Sequence, residues 1–264
     1  MFAWREGATG AGDADFFYEI SITEKEQILE ICRKIQPDAV ATIGSDLANI
    51  TVQYLAEKLG LPGNSSACIE NSTNKFAMRN AFQKAGIPVP FFQAVSVGDR
   101  VVPEKFPVIV KPTDRSGSRA ITKVYTQEYL ERAITQAGEQ SFEHRAIVEE
   151  YIEGAEYSVE TISYKGEHTC LAVTKKFTTG SLIILKQDIC SQPLCQKRCT
   201  EKFRTRCSAL LMPLKSETEQ VTVNSVLIKR EISGSLRLVP EWAEIVSVPI
   251  LCLCPQDRIL WQWW

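Results

Sequence analysis

The spacing of hydrophobic residues changes several times over the first 180 positions. Beginning at Thr23, apolar residues stand three and four positions apart, which predicts an amphipathic helix, and Thr23 and Glu26 have the spacing of a capping box. An apolar run at residues 40–43 predicts a short strand, after which Asp46 is expected to cap a second helix that ends at Gly60. This order of strand, turn and helix is typical of a doubly wound α/β sheet.

Alternating elements continue to about residue 180. Ser72 or Asn74 is expected to open a helix that runs through Lys84, ahead of Pro88. Alternation on both sides of Lys165-Gly166 predicts a β-hairpin. The remaining predictions are strands at 91–97, 106–112, 121–125 and 146–152, a helix at 126–137, and the hairpin at 157–174.

The composition of the chain changes at Gly180. The 264 residues are 44% hydrophobic with a net charge of −2, so the chain can bury a core and has no electrostatic demand for nucleic acid. Residues 1–180 contain 13 of the 14 glycines, whereas the 84 residues that follow contain one glycine and six of the nine cysteines. Because folded domains need glycine at turns and helix ends, residues 181–264 are expected to be irregular and poorly folded.

The cysteines and the apolar segments support neither a metal centre nor a membrane anchor. The spacings of Cys190, Cys195, Cys199 and Cys207 match no paired CxxC pattern, so no metal ligands are predicted. No window approaches the roughly 18 consecutive apolar residues of a membrane helix, and the N-terminal residues lack the pattern of a signal peptide. We therefore expect a cytoplasmic protein without nucleic-acid or membrane partners.

Two adjoining segments carry groups that suit a phosphate. Lys111 follows an apolar strand and precedes Pro112, so its ammonium is expected at a strand end, where a point charge can meet a phosphate. The loop from Asp114 to Arg119 combines glycine, hydroxyl and guanidinium groups, which suits a cover over a polyphosphate. Its central residues are Ser116, Gly117, Ser118 and Arg119. A solvated strand flank and an ordinary polar turn are the alternatives, and both stay open.

A third segment has groups that suit a purine nucleoside. Residues 148–159 place carboxylates at the edges of two apolar runs that a glycine separates. Main-chain groups around Tyr151 and Ile152 can read adenine, and the carboxylate of Glu156 can accept hydrogen bonds from both ribose hydroxyls. A hairpin whose glutamates are simply solvated explains the same segment.

Taken in order, these segments closely resemble the ATP-grasp superfamily, nearest its carbamoyl-phosphate-synthetase-like, carboxylate–amine ligase branch. The resemblance also includes Lys75, on a helix that ends in Gly86-Ile87-Pro88-Val89-Pro90. It implies that Lys75 and Lys111 contact the phosphates of ATP and that Ser116 to Arg119 form a mobile phosphate loop. It further implies that Glu149, Glu150, Tyr151 and Ile152 hold adenine and that Glu156 binds the ribose.

The resemblance implies four parts and an activity. Residues 1–64 correspond to a partial Rossmann-like pre-ATP-grasp domain whose first strand is missing, 65–155 to a helical linker and small ATP-binding lobe, 156–180 to the start of the C-terminal lobe, and 181–264 to the tail. The implied activity is ATP-dependent ligation of a carboxylate and an amine through an acyl phosphate, with Mg²⁺ and a candidate homodimer. A non-catalytic nucleotide-binding remnant and a structural fragment that binds nothing are the alternatives.

The Mg²⁺-binding motif of the family is not readable after Gly180. That motif, of the type Glu-Ile-Gly-Ala-Arg-Met-Gly-Gly-Asp, supplies carboxylates that hold Mg²⁺ at the β and γ phosphates, so activity is expected to be impaired. Codons for Ser235 to Ile245, with suitable third bases, encode Val-Glu-Ile-Gly-Ala-Arg-Met-Gly-Gly-Asp in a shifted frame. The same offset gives family-like sequence from Leu182 and from Val221. We therefore predict a frameshift at Gly180-Ser181.

Overall fold

The structure is a computed structural model that describes residues 1–42, 45–152, 155–164, 167–178, 186–190, 220–230, 236–239 and 246–248, with side chains in the first two ranges. The described residues form helices and sheets, which confirms the α/β class. The helices are α1 Lys25–Ile35, α2 Asp46–Leu59, α3 Ser66–Thr73, α4 Lys75–Lys84 and α5 Gln127–Gln140. The strands are β1 Phe2–Ala3, β2 Tyr18–Glu19, β3 Phe92–Ser96, β4 Val108–Pro112, β5 Thr122–Val124, β6 Arg145–Glu150, β7 Ala155–Tyr164, β8 Glu167–Thr178, β9 Lys186–Cys190, β10 Gln220–Arg230, β11 Leu236–Val239 and β12 Val246–Val248.

The N-terminal region packs α1 and α2 together beside a small parallel sheet of β1 and β2. Its buried centre consists of Ile28, Leu29, Cys32 and Leu55. The strand predicted at 40–43 is wrong for its described residues: 40–42 pair with no strand, although Val40 packs on this cluster. The predicted capping box of Thr23 and Glu26 is also wrong. The Thr23 hydroxyl forms a hydrogen bond of 2.8 Å with the Ser21 hydroxyl, and Glu24 is the N-cap of α1.

The next helices begin near the predicted residues, but not always at them. Ser45, rather than Asp46, caps α2, and its hydroxyl accepts a hydrogen bond from the Ala48 N–H. Ser72 does not open a helix but lies inside α3, which the apolar spacing did not predict. Asn74 is the residue that opens α4, as the second of the two predicted positions. The predicted end of α2 at Gly60 is confirmed, since Gly60 adopts a left-handed backbone with φ of 67°.

A four-stranded antiparallel sheet, in the order β3-β6-β4-β5, forms the centre of the described side chains. Because side chains alternate between the faces of a strand, Val108 and Val110 of β4 lie on one face with Ala146 and Val148 of β6, and α5 packs on that face. The intervening positions belong to the opposite face. There α4 packs, with the Phe76 ring edge-on to the Phe92 ring of β3.

A second sheet is built from later strands, in the order β11-β10-β7-β8-β9, with β12 also paired to β10. Strands β7 and β8 pair antiparallel, as the hairpin predicted at 157–174 requires, while Lys165 and Gly166 lie outside the described residues. Strands β9 to β12 lie within residues 181–264, so these four segments differ from the irregular tail that the composition predicts. The proposed break at Gly180-Ser181 and Cys195, Cys199 and Cys207 lie outside the described residues.

Candidate functional site

A buried cluster of charged side chains lies between α4 and the four-stranded sheet. Lys111 of β4 and Glu149 of β6 occupy the sheet face opposite α5, and Arg79 of α4 reaches them from above. The Arg79 Nε lies 2.7 Å from Glu149 Oε1, and the Lys111 ammonium contacts Glu149 Oε2. The three side chains are 1%, 2% and 1% exposed in the order Arg79, Lys111, Glu149. Two cations therefore share one buried carboxylate.

The ionisation of Glu149 follows from these neighbours. Burial alone would raise the pKa of this carboxyl group, since a buried charge loses its hydration. The charges of Arg79 and Lys111, together with their hydrogen bonds, outweigh that effect and hold the pKa of Glu149 below its usual range. Glu149 is consequently an anion at neutral pH, and the cluster carries two positive charges and one negative charge.

Lys75 is the first residue of α4 and holds the start of the predicted phosphate loop. Its backbone N–H donates to the carbonyl of Thr113 at 2.8 Å, and its ammonium donates to the carbonyl of Arg115. Asn74 fixes this helix end, because its Oδ1 accepts from the N–H groups of Phe76 and Ala77 at 3.0 and 3.2 Å. Thr113 lies just beyond Lys111, so both predicted phosphate lysines are tied to the same end of β4.

The predicted phosphate loop leaves this end of β4 with an unusual backbone. Gly117, Ser118 and Ala120 have φ values of 70°, 57° and 51°, a left-handed conformation that costs energy for residues other than glycine. Gly117 and Arg119 are exposed, while Ser116 and Ser118 are half-buried. The loop thus has glycine and guanidinium groups at the surface and two partly accessible hydroxyl groups.

The base of this loop is fixed to the turn between α5 and β6. Asp114 Oδ2 accepts a hydrogen bond of 2.9 Å from the backbone N–H of Glu143. The guanidinium of Arg115 stacks on the ring of Phe142, 4.2 Å from its centroid. Asp114 and Arg115, the two residues before Ser116, are therefore held by separate contacts.

The predicted adenine edge lies at the end of β6. The backbone N–H of Glu150 donates to Phe91 at 2.9 Å and that of Tyr151 to Pro107 at 3.2 Å, so these two donors are used within the fold. The Lys105 ammonium lies 2.5 Å from the Glu150 carboxylate. The Lys123 ammonium lies 3.3 Å from the centre of the Tyr151 ring. The sequence predicts that main-chain groups around Tyr151 and Ile152 read adenine; of these, the Tyr151 N–H is engaged within the fold.

Residues 72–182 match the family model for the ATP-grasp domain. This segment belongs to the ATP-grasp superfamily. The recognition made from the sequence, including the carboxylate–amine ligase branch, is confirmed. The matched range contains the buried charge cluster, the phosphate loop and the predicted adenine edge, and it ends two residues after Gly180.

Known proteins that resemble the chain include ligases and synthases. The C-terminal section of the carbamoyl phosphate synthase large chain of Methanopyrus kandleri is 29% identical over 138 residues, which is 49% of this chain and 25% of that protein. The D-alanine–D-alanine ligase of Halorhodospira halophila is 29% identical over 140 residues, 51% of this chain and 45% of that protein. The chain thus spans less than half the length of these relatives.

A solved structure supports the fold as well. The L-amino acid ligase of Bacillus licheniformis superposes with a TM-score of 0.70 at 18% identity, over 82% of this chain and 52% of that one. At this level of identity the likeness concerns the fold alone, which the two proteins share over most of this chain.

Arg79 is a residue of the buried charge cluster that the sequence did not reveal. Its position four residues after Lys75 places both cations on one face of α4, a spacing that is readable in the sequence. A charged residue within a helix is usually solvated, so the spacing alone does not predict its burial.

The described side chains offer no separate metal centre: within residues 1–42 and 45–152, no three His, Cys, Asp or Glu residues are grouped as metal ligands. Glu156 has its backbone in β7, opposite Lys176 and Leu227, and its side chain is outside the described set. None of the helices in the described part of the chain has the length and apolar content to cross a membrane.

Proposed function

We propose that the ATP-grasp domain binds ATP, with the phosphates at Lys111, Lys75 and the loop at 116–119. The observation that carries the proposal is the placement of two buried lysines at one end of β4, where the glycine-containing loop begins. Arg79 and Lys111 share the single carboxylate of Glu149, so the site keeps a net positive charge, and a buried positive charge favours a negatively charged ligand. A lysine attracts a phosphate group as a point charge, and the backbone N–H groups of a loop donate hydrogen bonds to it.

We also propose that the nucleoside lies along the end of β6. The segment Glu149 to Ile152 supplies this edge, and the Tyr151 ring, held by Lys123, offers a flat surface beside it. Since the N–H groups of Glu150 and Tyr151 are used within the fold, base recognition would use other groups of this segment. Glu156 is proposed for the ribose hydroxyls, by the family resemblance.

For the whole protein, we propose ATP-dependent carboxylate–amine ligation. The carboxylate oxygen attacks the γ phosphorus and ADP leaves; the amine then attacks the acyl carbon and releases phosphate. Lys111 and Lys75 would stabilise the phosphate charge, and a closed loop at 116–119 would keep water from the acyl phosphate. The names of the relatives support this class, while the acid, the amine, the homodimer and the cytoplasmic location stay predictions.

A second candidate is nucleotide binding without turnover. It is favoured by the residues Ser235 to Ile245, which stand in place of the family's Mg²⁺ motif. The end of the family match at residue 182 supports the proposed frame change at Gly180-Ser181. Sequencing the gene across codons 178–184 tests it: an intact single frame without family-like sequence in the shifted frame would contradict the proposal.

Calorimetric titration with ADP tests the binding site. We expect Lys111→Met to weaken ADP binding by roughly tenfold or more, since a charged contact to phosphate is worth about 1.5–3 kcal/mol. Lys84→Met, which removes an exposed lysine at the other end of α4, is the matched control. Equal affinity of Lys111→Met and the wild type would contradict the site. ADP release from ATP, measured over a panel of carboxylic acids with amines, then separates ligation from binding alone.

A further inference from the structure

Glu149 divides its carboxylate between two different cations. Oε1 accepts from Arg79 at 2.7 Å and Oε2 contacts Lys111. The charged groups on the elements around it are Arg79 and Lys75 of α4 and Lys111 of β4, while β3 places Phe92 opposite. A carboxylate that is 1% exposed, with both oxygens engaged, is not arranged to contact a base.

Phosphate binding at Lys111 would therefore compete with Glu149. If Lys111 turns toward a phosphate, the buried carboxylate loses one of its two cations. Breaking one side of a buried ion pair leaves an uncompensated charge, which is strongly destabilising. Arg79 remains hydrogen-bonded to Oε1 and keeps a positive charge beside the carboxylate. Lys111 can therefore move to a phosphate without leaving Glu149 as an unpaired buried charge.

We propose that Arg79 is a positioning residue for nucleotide binding: it retains Glu149 when Lys111 moves from that carboxylate to a phosphate. Glu149 is then the resting counterion of the phosphate lysine rather than a contact for adenine. The inference rests on the proposed ATP site; it removes Glu149 from the nucleoside edge proposed above and adds Arg79, which acts on the ligand through Glu149 and Lys111.

The consequence is specific for the variant Arg79→Met. With Arg79 gone, Glu149 has to take up a proton when Lys111 leaves, because a buried carboxylate without a cation favours its neutral form. We expect ADP binding roughly tenfold or more weaker at pH 8, since an uncompensated buried charge costs several kcal/mol. We also expect uptake of about one proton on binding and tighter binding as the pH falls.

Titration calorimetry with ADP, in buffers of different ionisation enthalpy, measures both the affinity and the protons taken up. Arg132→Met, an exposed arginine of α5, is the matched control and should behave as the wild type. Compared with Arg79→Met, the double variant Arg79→Met/Glu149→Gln should bind ADP more tightly and without proton uptake, because it has no buried carboxylate that could lose its cation. A merely structural role for Arg79 would produce neither the proton uptake nor this recovery.

The outcomes separate the two proposals. Unchanged affinity and no proton uptake in Arg79→Met, with the wild type binding ADP and Lys111→Met impaired, overturns this inference alone. A wild type that binds no ADP removes both. If Arg79→Met does not fold, the variant Glu149→Gln decides. We expect Glu149→Gln to bind ADP several-fold more tightly than the wild type, because Lys111 is released from the carboxylate. Weaker binding would overturn the inference and support Glu149 as a contact for adenine.

Discussion

Replacing Asn74 by alanine is expected to lower the free energy of unfolding by about 1–2 kcal/mol, mainly through the lost helix cap. Two kinds of contact are removed. The Asn74 Oδ1 caps α4 through the N–H groups of Phe76 and Ala77, and its Nδ2 donates to Glu143 Oε2 at 3.1 Å. The hydrogen bond to Glu143 is exposed, so solvent and salt reduce its contribution to the free energy of unfolding. The first turn of α4 also carries Lys75, so ADP affinity should fall together with stability.

Asn74→Asp separates the two contacts. Aspartate keeps an acceptor for the helix N–H groups but brings a second carboxylate against Glu143, so we expect a stability below that of the wild type at low salt. Adding Glu143→Gln should restore it, and 0.5 M salt should have a similar effect.

Chemical denaturation followed by circular dichroism measures these differences. An Asn74→Ala variant within about 0.3 kcal/mol of the wild type would refute the cap, because capping residues are worth at least 0.5 kcal/mol. An Asn74→Asp variant that is more stable than the wild type at low salt would refute the contact with Glu143.

Two further predictions concern the core. The pKa of Glu149 in the folded protein lies below its unfolded value of about 4.3. The ionised carboxylate therefore stabilises the fold fully above that value, and this stabilisation is lost as the pH falls through the folded pKa. In urea unfolding from pH 7 to pH 3, the free energy of unfolding should fall less steeply in Glu149→Gln than in the wild type. Gly138→Ala should destabilise the protein by about 1 kcal/mol, because overpacking by its Cβ, 2.5 Å from Val97 Cγ2, outweighs the gain in helix propensity. Adding Val97→Ala should reverse the loss if that contact is the cause.

The strands and helices that sequence periodicity predicts best are those with several apolar positions. The predicted strand at 106–112 and helix at 126–137 correspond to β4 and α5, with shifted ends. In contrast, α3 has only eight residues, and the Ser65 hydroxyl caps its start by accepting a hydrogen bond from the Cys68 N–H, which apolar spacing does not reveal. Residues 40–42 have strand-like composition, but a strand also needs a partner, which no local pattern can supply.

Within the site, the sequence predicts groups better than it predicts contacts. Lys75, Lys111 and the loop at 116–119 stand out because their order is typical of a known family. The pairing of Lys111 with Glu149 depends on the register of β4 against β6, and the burial of Arg79 depends on α4 covering that face. These are long-range arrangements, so a resemblance that places Glu149 beside adenine could not show which cations occupy its oxygens.

The alternation of β4 also determines where this protein tolerates changes in length. One residue inserted between Val108 and Lys111 would reverse the facing of every later position in the strand, turning the ammonium toward α5 and its apolar core. The same insertion at Gly98, in the exposed connection after β3, leaves both strand registers unchanged. Natural or engineered variants should therefore accumulate insertions and deletions in that connection, and none within the five residues of β4.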